Sequence, residues 1–344
     1  MKINIKCATH VGTSFGEFSA QLVTGLSQLG HDVSVQSLLG NARLADTSPA
    51  FHPFIRNEWL DAIELLVAPI AMFGMDLGRL IQSGRRVALL TMWETTCIPK
   101  ISVAAINQCH VLMVPSNWNR RCFTASQVVI PIHVTPLGID MDLFQYRPPV
   151  KRDTFTFGAA GNLACGDNRK RVYDVARAFT SAFPNDPKVR LHLKMTQARE
   201  KIRFADPRIQ VSHAFFTPGE LADYYASLDC FVSLATAEGF GLIQLQVMSV
   251  GRLLLTPVYG GVAEFATADN CHSLPFTEVP ATEFFSGNDG MWSHVALADA
   301  VTAMRCVRDK SDLVPDRGQL AAQSVRSFNL KNMTLGVQKV LQAL

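Results

Sequence analysis

The sequence predicts an α/β protein with two domains, each built on a parallel sheet with helices on both faces. Short apolar segments with strand-like patterns alternate with segments of helical length, and this alternation is typical of parallel sheets. The alternation pauses once, at residues 146–150, where two prolines precede the charged segment 151–153, and then it resumes. In addition, 344 residues are more than one hydrophobic core usually serves.

The first half of the chain begins with a strand, a helix and a second strand. Residues 3–7 alternate between apolar and polar, and Ser14 with Glu17 forms a capping-box pattern that starts a helix. Gly30 ends this helix, and residues 32–36 form the next strand. Further strands are expected at residues 62–68, 86–92, 110–114 and 133–136. These elements predict a first domain that covers residues 1–148.

The second half repeats the pattern from residue 154 onward. A strand at 154–159 leads through a glycine-bearing loop to a helix whose apolar residues fall between 172 and 179. Thr217, Pro218 and Glu220 combine a capping box with proline at the first helical position. The remaining elements are strands at 189–195, 209–212, 230–234 and 252–257, a helix at 242–249 and a closing helix at 330–344. We expect a second Rossmann-like domain at 149–325 and a C-terminal helix within 326–344.

Composition limits the classes of protein to which the chain can belong. Hydrophobic residues make up 48% and charged residues 18%, which suits large buried sheets and excludes disordered, coiled-coil and collagen-like chains. The net charge of +3 is too small to indicate a dedicated DNA-packaging protein. The eight cysteines include no Cys-x-x-Cys pair, so we expect no zinc knuckle and no redox motif.

The sequence also bears on the compartment. The N-terminal residues lack the apolar core of a signal peptide, and the longest apolar stretch, residues 65–75, is far shorter than the roughly 20 residues of a membrane span. Well-separated cysteines within apolar segments are typical of reduced thiols. We therefore expect a cytoplasmic protein, and peripheral attachment to a membrane remains open.

The segment 238–246 is the most informative loop, because it connects a buried strand to a helix. Its glycines allow backbone N–H groups to approach a ligand, and the helix start favours phosphate. Glu238 precedes these glycines, and a carboxylate suits the hydroxyl groups of a sugar better than a phosphate. In isolation, a glycine turn with a capping acid would explain the segment equally well.

The segment 238–246, together with the strand before it and the helix after it, resembles a known family. Segments 229–242, 248–251 and 260–264 are similar to the nucleotide-sugar half of retaining GT-B glycosyltransferases, and more narrowly to glycosyltransferase family 4. Supporting matches follow the family's order at residues 30–33, 114–119, 136–140 and 158–161. The resemblance implies two Rossmann-like domains that face each other across a cleft, with the closing helix returning to the first domain.

The resemblance also implies a function. A hexosyl or pentosyl group would pass from a nucleotide sugar, bound by the second domain, to a hydroxyl of a glycan, lipid or small molecule bound by the first. The departing phosphate would help to take the acceptor proton on the same face of the sugar. We expect no cofactor and no metal, since members of this family generally neutralise the diphosphate with an arginine and a lysine.

Donor-binding residues can be assigned from the resemblance. Glu238 would contact the donor sugar, and Gln246, where the family has a second glutamate, would face the ribose without the strength of a charge-assisted hydrogen bond. The residues between them that we assign to the donor are Gly239, Phe240, Gly241 and Leu242.

The diphosphate would meet a second loop. Asn162 stands where family members often have an arginine, and Arg169 or Lys170 matches their lysine. Together with Glu238, Arg169 and Lys170 are our candidate catalytic residues, because they would neutralise the charge of the leaving group. A solvated basic turn is the alternative for this loop.

In the first domain we expect the loop at residues 10–16 and the end of the strand 86–92 to face the substrates. Gly12 would approach the donor diphosphate, while His10, Trp93 and Glu94 would bind the acceptor. The loop does not match Gly-x-Gly-x-x-Gly, which argues against a dinucleotide dehydrogenase. His10 could instead be an ordinary paired polar residue. In the alternative for the strand end, Trp93 lies in the core and Glu94 caps the next helix.

Two rival functions remain open. One is an enzyme of the same fold that modifies a DNA base, which the small net charge neither requires nor excludes. The other is a non-catalytic subunit that binds sugar nucleotides, suggested by Asn162 and Gln246 at positions where the family has charged residues.

Overall fold

The computed structural model describes residues 1–9, 14–38, 47–72, 74–163, 169–197, 201–281 and 290–344. The chain divides into two compact units. One contains Met1–Ile139 together with Phe328–Leu344, and the other contains Asp140–Ser327.

The first unit is built on a six-stranded parallel sheet. Its order is β2-β1-β3-β4-β5-β6, with strands β1 (Lys2–Cys7), β2 (Asp32–Ser37), β3 (Ile63–Val67), β4 (Val87–Leu90), β5 (Val111–Val114) and β6 (Ile132–Val134). The chain passes from β1 to β2 on one side and then places β3 on the other, so the switch point lies between β1 and β3. The helices are α1 (Ser14–Gln28), α2 (Gly74–Gln82), α3 (Lys100–Ile106) and α4 (Asn117–Ala125).

The last helix of the chain, α10 (Leu330–Gln342), packs in the first unit against α1. Asn329 caps α10 by accepting a hydrogen bond from the backbone N–H of Asn332 at 2.9 Å. Gly25 of α1 lies directly against Thr334 of α10, because a Cβ atom at position 25 would collide with the threonine hydroxyl. The small residue therefore allows the two helices to approach closely.

The second unit is built on another six-stranded parallel sheet. Its order is β12-β11-β10-β7-β8-β9, with strands β7 (Phe155–Asn162), β8 (Val189–Thr196), β9 (Ile209–Ser212), β10 (Cys230–Val232), β11 (Leu253–Thr256) and β12 (His272–Ser273). An antiparallel pair, β13 (Thr277–Pro280) and β14 (Met291–His294), forms a separate two-stranded sheet in this unit. The helices are α5 (Val172–Ala182), α6 (Pro218–Ala226), α7 (Leu242–Ser249), α8 (Leu297–Asp309) and α9 (Val314–Ser324).

Helical periodicity explains how this sheet is covered. In α5, Val172, Val175, Ala176 and Phe179 recur at helical spacing, and all four are buried against strands of the second sheet and α8. Thr217 and Glu220 form both hydrogen bonds of the predicted capping box at the start of α6. The predictions of an α/β class with parallel sheets, of this capping box and of α7 are confirmed.

Two features differ from the sequence-based expectations. The boundary between the compact units lies at 139/140, whereas the prolines and charges predicted 148/149. The reason is that the backbone N–H of Arg147 donates to the carbonyl of Val250 at 3.3 Å, and Ser249 donates to the carbonyl of Phe144 at 2.6 Å. This segment therefore packs with the second unit. Between residues 258 and 329, where we predicted no strand or helix, the structure has β12–β14, α8 and α9.

Within the described part of the chain, no helix has both the length and the apolar character that a membrane crossing needs.

Candidate active site

The switch point of the second sheet lies between its neighbouring strands β7 and β10. From β7 the chain continues to β8 and β9 on one side, and from β10 it continues to β11 and β12 on the other. Ligands of open parallel sheets bind in the crevice at the carboxyl ends of such a strand pair. The segments that leave this edge contain Asn162, Arg169 and Lys170 after β7, and Glu238 after β10.

Glu238 is the centre of the contacts at this edge. Lys170 Nζ donates to Glu238 Oε1 at 2.6 Å, and Arg169 Nη1 donates to Oε2 at 3.3 Å. Gln244 Nε2 donates to Oε1 at 2.9 Å. Glu238 is only 8% exposed, so these contacts are made in a largely desolvated environment. The structure thus brings together the three candidate catalytic residues.

The pKa of Glu238 reflects these partners. Burial by itself raises the pKa of the carboxyl, but the charges of Lys170 and Arg169 and the hydrogen bonds from Gln244 and Lys170 outweigh burial. The net pKa lies below its ordinary value. Glu238 is therefore an ionised hydrogen-bond acceptor at neutral pH, and this state suits a carboxylate that holds hydroxyl groups.

Contacts with backbone atoms connect the segment that follows β7 to the segment that follows β10. The backbone N–H of Thr236 donates to the carbonyl of Arg169 at 2.9 Å, and Arg169 Nη1 donates to the carbonyl of Ala237 at 3.1 Å. Gly241, the residue before α7, has a φ of +99°, which glycine adopts without strain. Gly261 packs against the carbonyl of Gly239, where no Cβ atom could fit. These contacts connect the loop that contains Glu238 to the segment that contains Arg169 and Lys170.

Gln244 was not among the residues that the sequence analysis selected. It lies in the first turn of α7 and is 2% exposed. The available signal was a polar residue in an otherwise apolar stretch of the helix, six positions after Glu238. That signal does not reveal which side of α7 faces the sheet, so it did not distinguish Gln244 from Gln246.

The other residues that we assigned to the donor have different environments. Gln246 is half-buried, and its Oε1 accepts a hydrogen bond from the hydroxyl of Tyr225 at 3.4 Å. Phe240 is buried and packs edge-on against Phe265, with ring centroids 5.5 Å apart. Asn162 is exposed at the end of β7, and Leu242 is the first residue of α7. Any contact of Phe240 with a donor would therefore be made by its backbone.

In the first unit, Trp93 and Glu94 follow β4, which is not part of the β1/β3 switch point. Trp93 is 3% exposed, and its indole N–H donates to Thr95 Oγ1 at 2.8 Å and to the carbonyl of Cys97 at 2.7 Å. Its backbone N–H donates to Asn119 Oδ1 at 2.7 Å. The position of the ring corresponds to the core alternative, and an acceptor role for Trp93 remains a prediction.

The capping alternative for Glu94 does not fit the start of α3. That helix begins at Lys100, with Pro99 at its N-cap position. Glu94 is half-buried in the preceding loop. His10 and Gly12, the other residues that we assigned to the substrates, lie outside the described residues.

The described residues contain no group of three or more His, Cys, Asp or Glu side chains that could hold a metal ion. Within these residues, the cationic groups next to Glu238 are the side chains of Arg169 and Lys170.

Comparisons with known proteins add the wider context. No protein-family model and no curated protein sequence matches the chain. Among solved structures, sucrose-phosphate synthase from Thermosynechococcus elongatus is similar, with a TM-score of 0.72 and 12% identity over 100% of this chain and 98% of that one. The Anabaena protein Alr3699/HepE, in complex with UDP and glucose, has a TM-score of 0.68 and 12% identity, and both chains are covered completely.

A third similar structure is the trehalose-6-phosphate protein from E. coli bound with UDP-2-fluoro glucose. Its TM-score is 0.69 and its identity 10%, over 100% of this chain and 99% of that one. These neighbours are glycosyltransferases of the GT-B fold. At such low identity the likeness establishes the fold, and the expectation of a GT-B architecture is confirmed.

Proposed function

We propose that this protein is a retaining glycosyltransferase, similar to family 4, that transfers a sugar from a nucleotide sugar to an acceptor hydroxyl. The observation that carries this proposal is the contact of Glu238 with Lys170 and Arg169 at the switch point of the second sheet. This edge combines an ionised carboxylate, which can accept hydrogen bonds from sugar hydroxyls, with two cations that can bind a diphosphate.

The charges of this group suit the reaction. When a nucleoside diphosphate departs from a sugar, negative charge grows on its phosphate oxygens, and nearby cations stabilise that charge. Lys170, Arg169 and Glu238 together carry one net positive charge, which favours the binding of phosphates. In our proposal the two cations do this work without a metal ion and without a cofactor.

Catalysis would depend on positioning more than on a protein base. The departing phosphate would accept the acceptor proton on the face from which it leaves, which results in retention. Asn162 and the loop residues Gly239 to Leu242 would contact the donor, and Gln246 would face its ribose. We assign the acceptor, a glycan, lipid or small molecule, to residues of the first unit that include His10, Trp93 and Glu94, and we place the reaction in the cytoplasm.

UDP-linked hexoses are the first donors to test, because two of the similar structures contain UDP or a UDP sugar with glucose chemistry. The experiment measures the melting temperature of the protein with UDP, UDP-glucose, UDP-N-acetylglucosamine, GDP-mannose and ADP-glucose, each with a chelator present. Release of UDP from the same donors is then followed over time. At 100 times its dissociation constant, a ligand stabilises the native state by about 2.7 kcal/mol.

We expect at least one donor to raise the melting temperature in the presence of the chelator and to be hydrolysed slowly without an acceptor. If no nucleotide sugar binds, the proposal is wrong. If stabilisation needs added magnesium or manganese, the metal-independent part of the proposal is wrong.

A non-catalytic subunit that binds sugar nucleotides is the second candidate. Asn162 and Gln246 favour it, because at these positions the resembling family has charged residues. Donor binding without hydrolysis, and without transfer to any acceptor in a panel, would support this candidate over the enzyme.

A further inference from the structure

Gln244 combines complete burial with an unusual set of hydrogen bonds. Its Nε2 donates to Glu238 Oε1 at 2.9 Å and to Ser233 Oγ at 3.0 Å. Its Oε1 is buried and has no hydrogen-bond partner among the described residues. An unpaired buried acceptor destabilises a fold, and an apolar side chain of similar size would avoid this penalty.

The orientation of the Gln244 amide follows from its neighbours. If the amide were turned over, its oxygen would face the carboxylate of Glu238, and two acceptors would repel each other. The contact with Glu238 therefore fixes the orientation and leaves Gln244 Oε1 unpaired. This orientation leaves a buried acceptor unpaired and so lowers the stability of the fold. An amide that is present in spite of this loss indicates a role at Glu238.

We propose that Gln244 is a positioning residue that holds the Glu238 carboxylate in place for a hydroxyl group of the donor sugar. This inference rests on the proposed function and assigns a role within the same site. It differs from the roles of Lys170 and Arg169, because a bound diphosphate attracts those two cations away from Glu238. The neutral amide of Gln244 has no such competing partner, so it retains the carboxylate when the donor is bound.

The hydrogen bonds also identify which carboxylate oxygen remains available. Glu238 Oε1 accepts from Gln244, and Gln244 keeps this contact when the donor is bound. Oε2 accepts only from Arg169 among the described residues, at 3.3 Å. Glu238 Oε2 is therefore the atom that would receive the sugar hydroxyl, while Gln244 occupies the other oxygen.

The test compares Gln244→Met, which retains size but loses the amide, with Ser249→Ala. Ser249 lies on the same helix and donates to the carbonyl of Phe144 and to Met141 Sδ, but it does not contact Glu238. With UDP-glucose as the probe, loss of one hydrogen bond to a charged group should lower kcat for UDP release about tenfold in Gln244→Met. The affinity for UDP, which lacks the transferred hexose, should change less than about twofold.

The pH profile provides a readout that a purely structural role would not change. The charged groups that act on Glu238 are Lys170 and Arg169, and both remain in Gln244→Met. Because the Gln244 hydrogen bond favours the ionised carboxylate, its loss raises the pKa of Glu238. The acid limb of the rate profile should shift to higher pH in Gln244→Met and stay in place in Ser249→Ala.

Carbon-13 NMR titration of the Glu238 carboxyl in the ligand-free protein separates this proposal from the proposed function. The signal is assigned by its absence in Glu238→Gln. If the wild type neither binds nor hydrolyses any donor, the proposed function fails, and the positioning proposal fails with it as far as the sugar is concerned. The titration then still decides whether Gln244 holds the carboxylate ionised.

Three outcomes overturn the positioning role. They are an unchanged Glu238 pKa, an unchanged kcat, or a fall in UDP affinity as large as the fall in kcat. If Gln244→Met does not fold, Gln244→Leu takes its place, because this side chain also lacks the amide that donates to Glu238. The same shifts are then expected, and their absence again overturns the proposal.

Discussion

Two buried glutamates, one in each unit, have similar partners but lie at opposite edges of their own sheets. Glu64, at the amino end of β3, pairs with Arg85 and accepts a hydrogen bond from Asn4 Nδ2 at 2.8 Å. Glu238, beyond the carboxyl end of β10, pairs with Lys170 and Arg169 and accepts from an amide at 2.9 Å. Burial and ion pairing alone therefore do not distinguish a binding site from a structural contact.

The location within the sheet makes the distinction. The partners of Glu64 also hold a surface segment, because Asn4 exchanges hydrogen bonds with the backbone of Trp59. Glu238 lies instead at a switch point, where two strands send their following segments in opposite directions and leave a crevice. The same chemistry thus stabilises one edge of a sheet and forms a candidate site at another.

The largest effect that we expect in this comparison is a loss of catalytic activity in the variant Glu238→Gln. The neutral side chain should lower kcat for UDP-sugar turnover on the order of 100-fold, since a preorganised charged contact to the sugar is lost. Affinity for free UDP should change little, because UDP lacks the transferred hexose that Glu238 would contact. The measurements are steady-state kinetics and isothermal titration. Equal losses of turnover and UDP affinity would contradict the assignment of Glu238 to the sugar.

Glu64→Gln is the matched substitution at the other edge. It should reduce the free energy of unfolding by about 2 kcal/mol, less than the roughly 3–5 kcal/mol typical of a broken buried pair. The reason is that Arg85 keeps an ion pair with Glu58 at 3.3 Å. Urea denaturation measures the change, and turnover per folded molecule should equal that of the wild type. A selective loss of turnover would remove the distinction between the two edges.

Lys170→Met tests whether the cations at the candidate site bind phosphate. UDP affinity should fall about tenfold, because a charge-assisted contact to the diphosphate is lost, while affinity for uridine should not change. Arg177→Met is the control, since Arg177 is 72% exposed and pairs with Asp174 on the helix surface. If uridine and UDP lose affinity equally, the phosphates lie elsewhere.

Glu94→Gln tests whether the carboxyl edge of the first sheet contributes to binding of the acceptor. If Glu94 accepts a hydrogen bond from the acceptor, transfer should fall several-fold to about tenfold, with donor binding nearly unchanged. Acceptor-dependent and acceptor-independent UDP release, measured side by side, give the answer. Parallel losses of thermal stability and donor binding would point to a structural role in the loop.

The smallest expected effect is a gain in UDP affinity in the variant Gln246→Glu. A carboxylate at this position restores the charged acceptor of the resembling family, and charge-assisted hydrogen bonds contribute about 1.5–3 kcal/mol against roughly 0.5–1.5 kcal/mol for neutral ones. UDP affinity should therefore rise several-fold in isothermal titration, and the hydroxyl of Tyr225 can still donate to the new side chain. Unchanged or weaker binding would show that Gln246 does not face the ribose.

Much of this architecture could be read from local sequence patterns. Thr217 and Glu220 specified a helix start, because the capping-box signal depends on neighbours within a few residues. Glu238, Arg169 and Lys170 could be selected because parallel strands bring the segments that follow them to one edge.

The parts that could not be predicted depend on tertiary packing. The alternation of strands and helices along the chain does not determine the order of the strands in each sheet. The role of Gln244 depends on which side of α7 faces the sheet, and the boundary near Asp140 depends on the contacts of Phe144 and Arg147 with residues a hundred positions later. Local periodicity contains none of this information.

The position of α10 in the first unit has a consequence for how the protein is made. The second unit is a continuous segment and can fold as soon as the ribosome has released it. The first unit lacks α10 until residues 328–344 have been synthesised, so the α1 surface around Gly25 stays uncovered in the meantime. At typical synthesis rates, the interval between the synthesis of residue 139 and that of residue 344 lasts on the order of 10–40 s. The nascent chain therefore passes through a stage in which its N-terminal half is the less complete one.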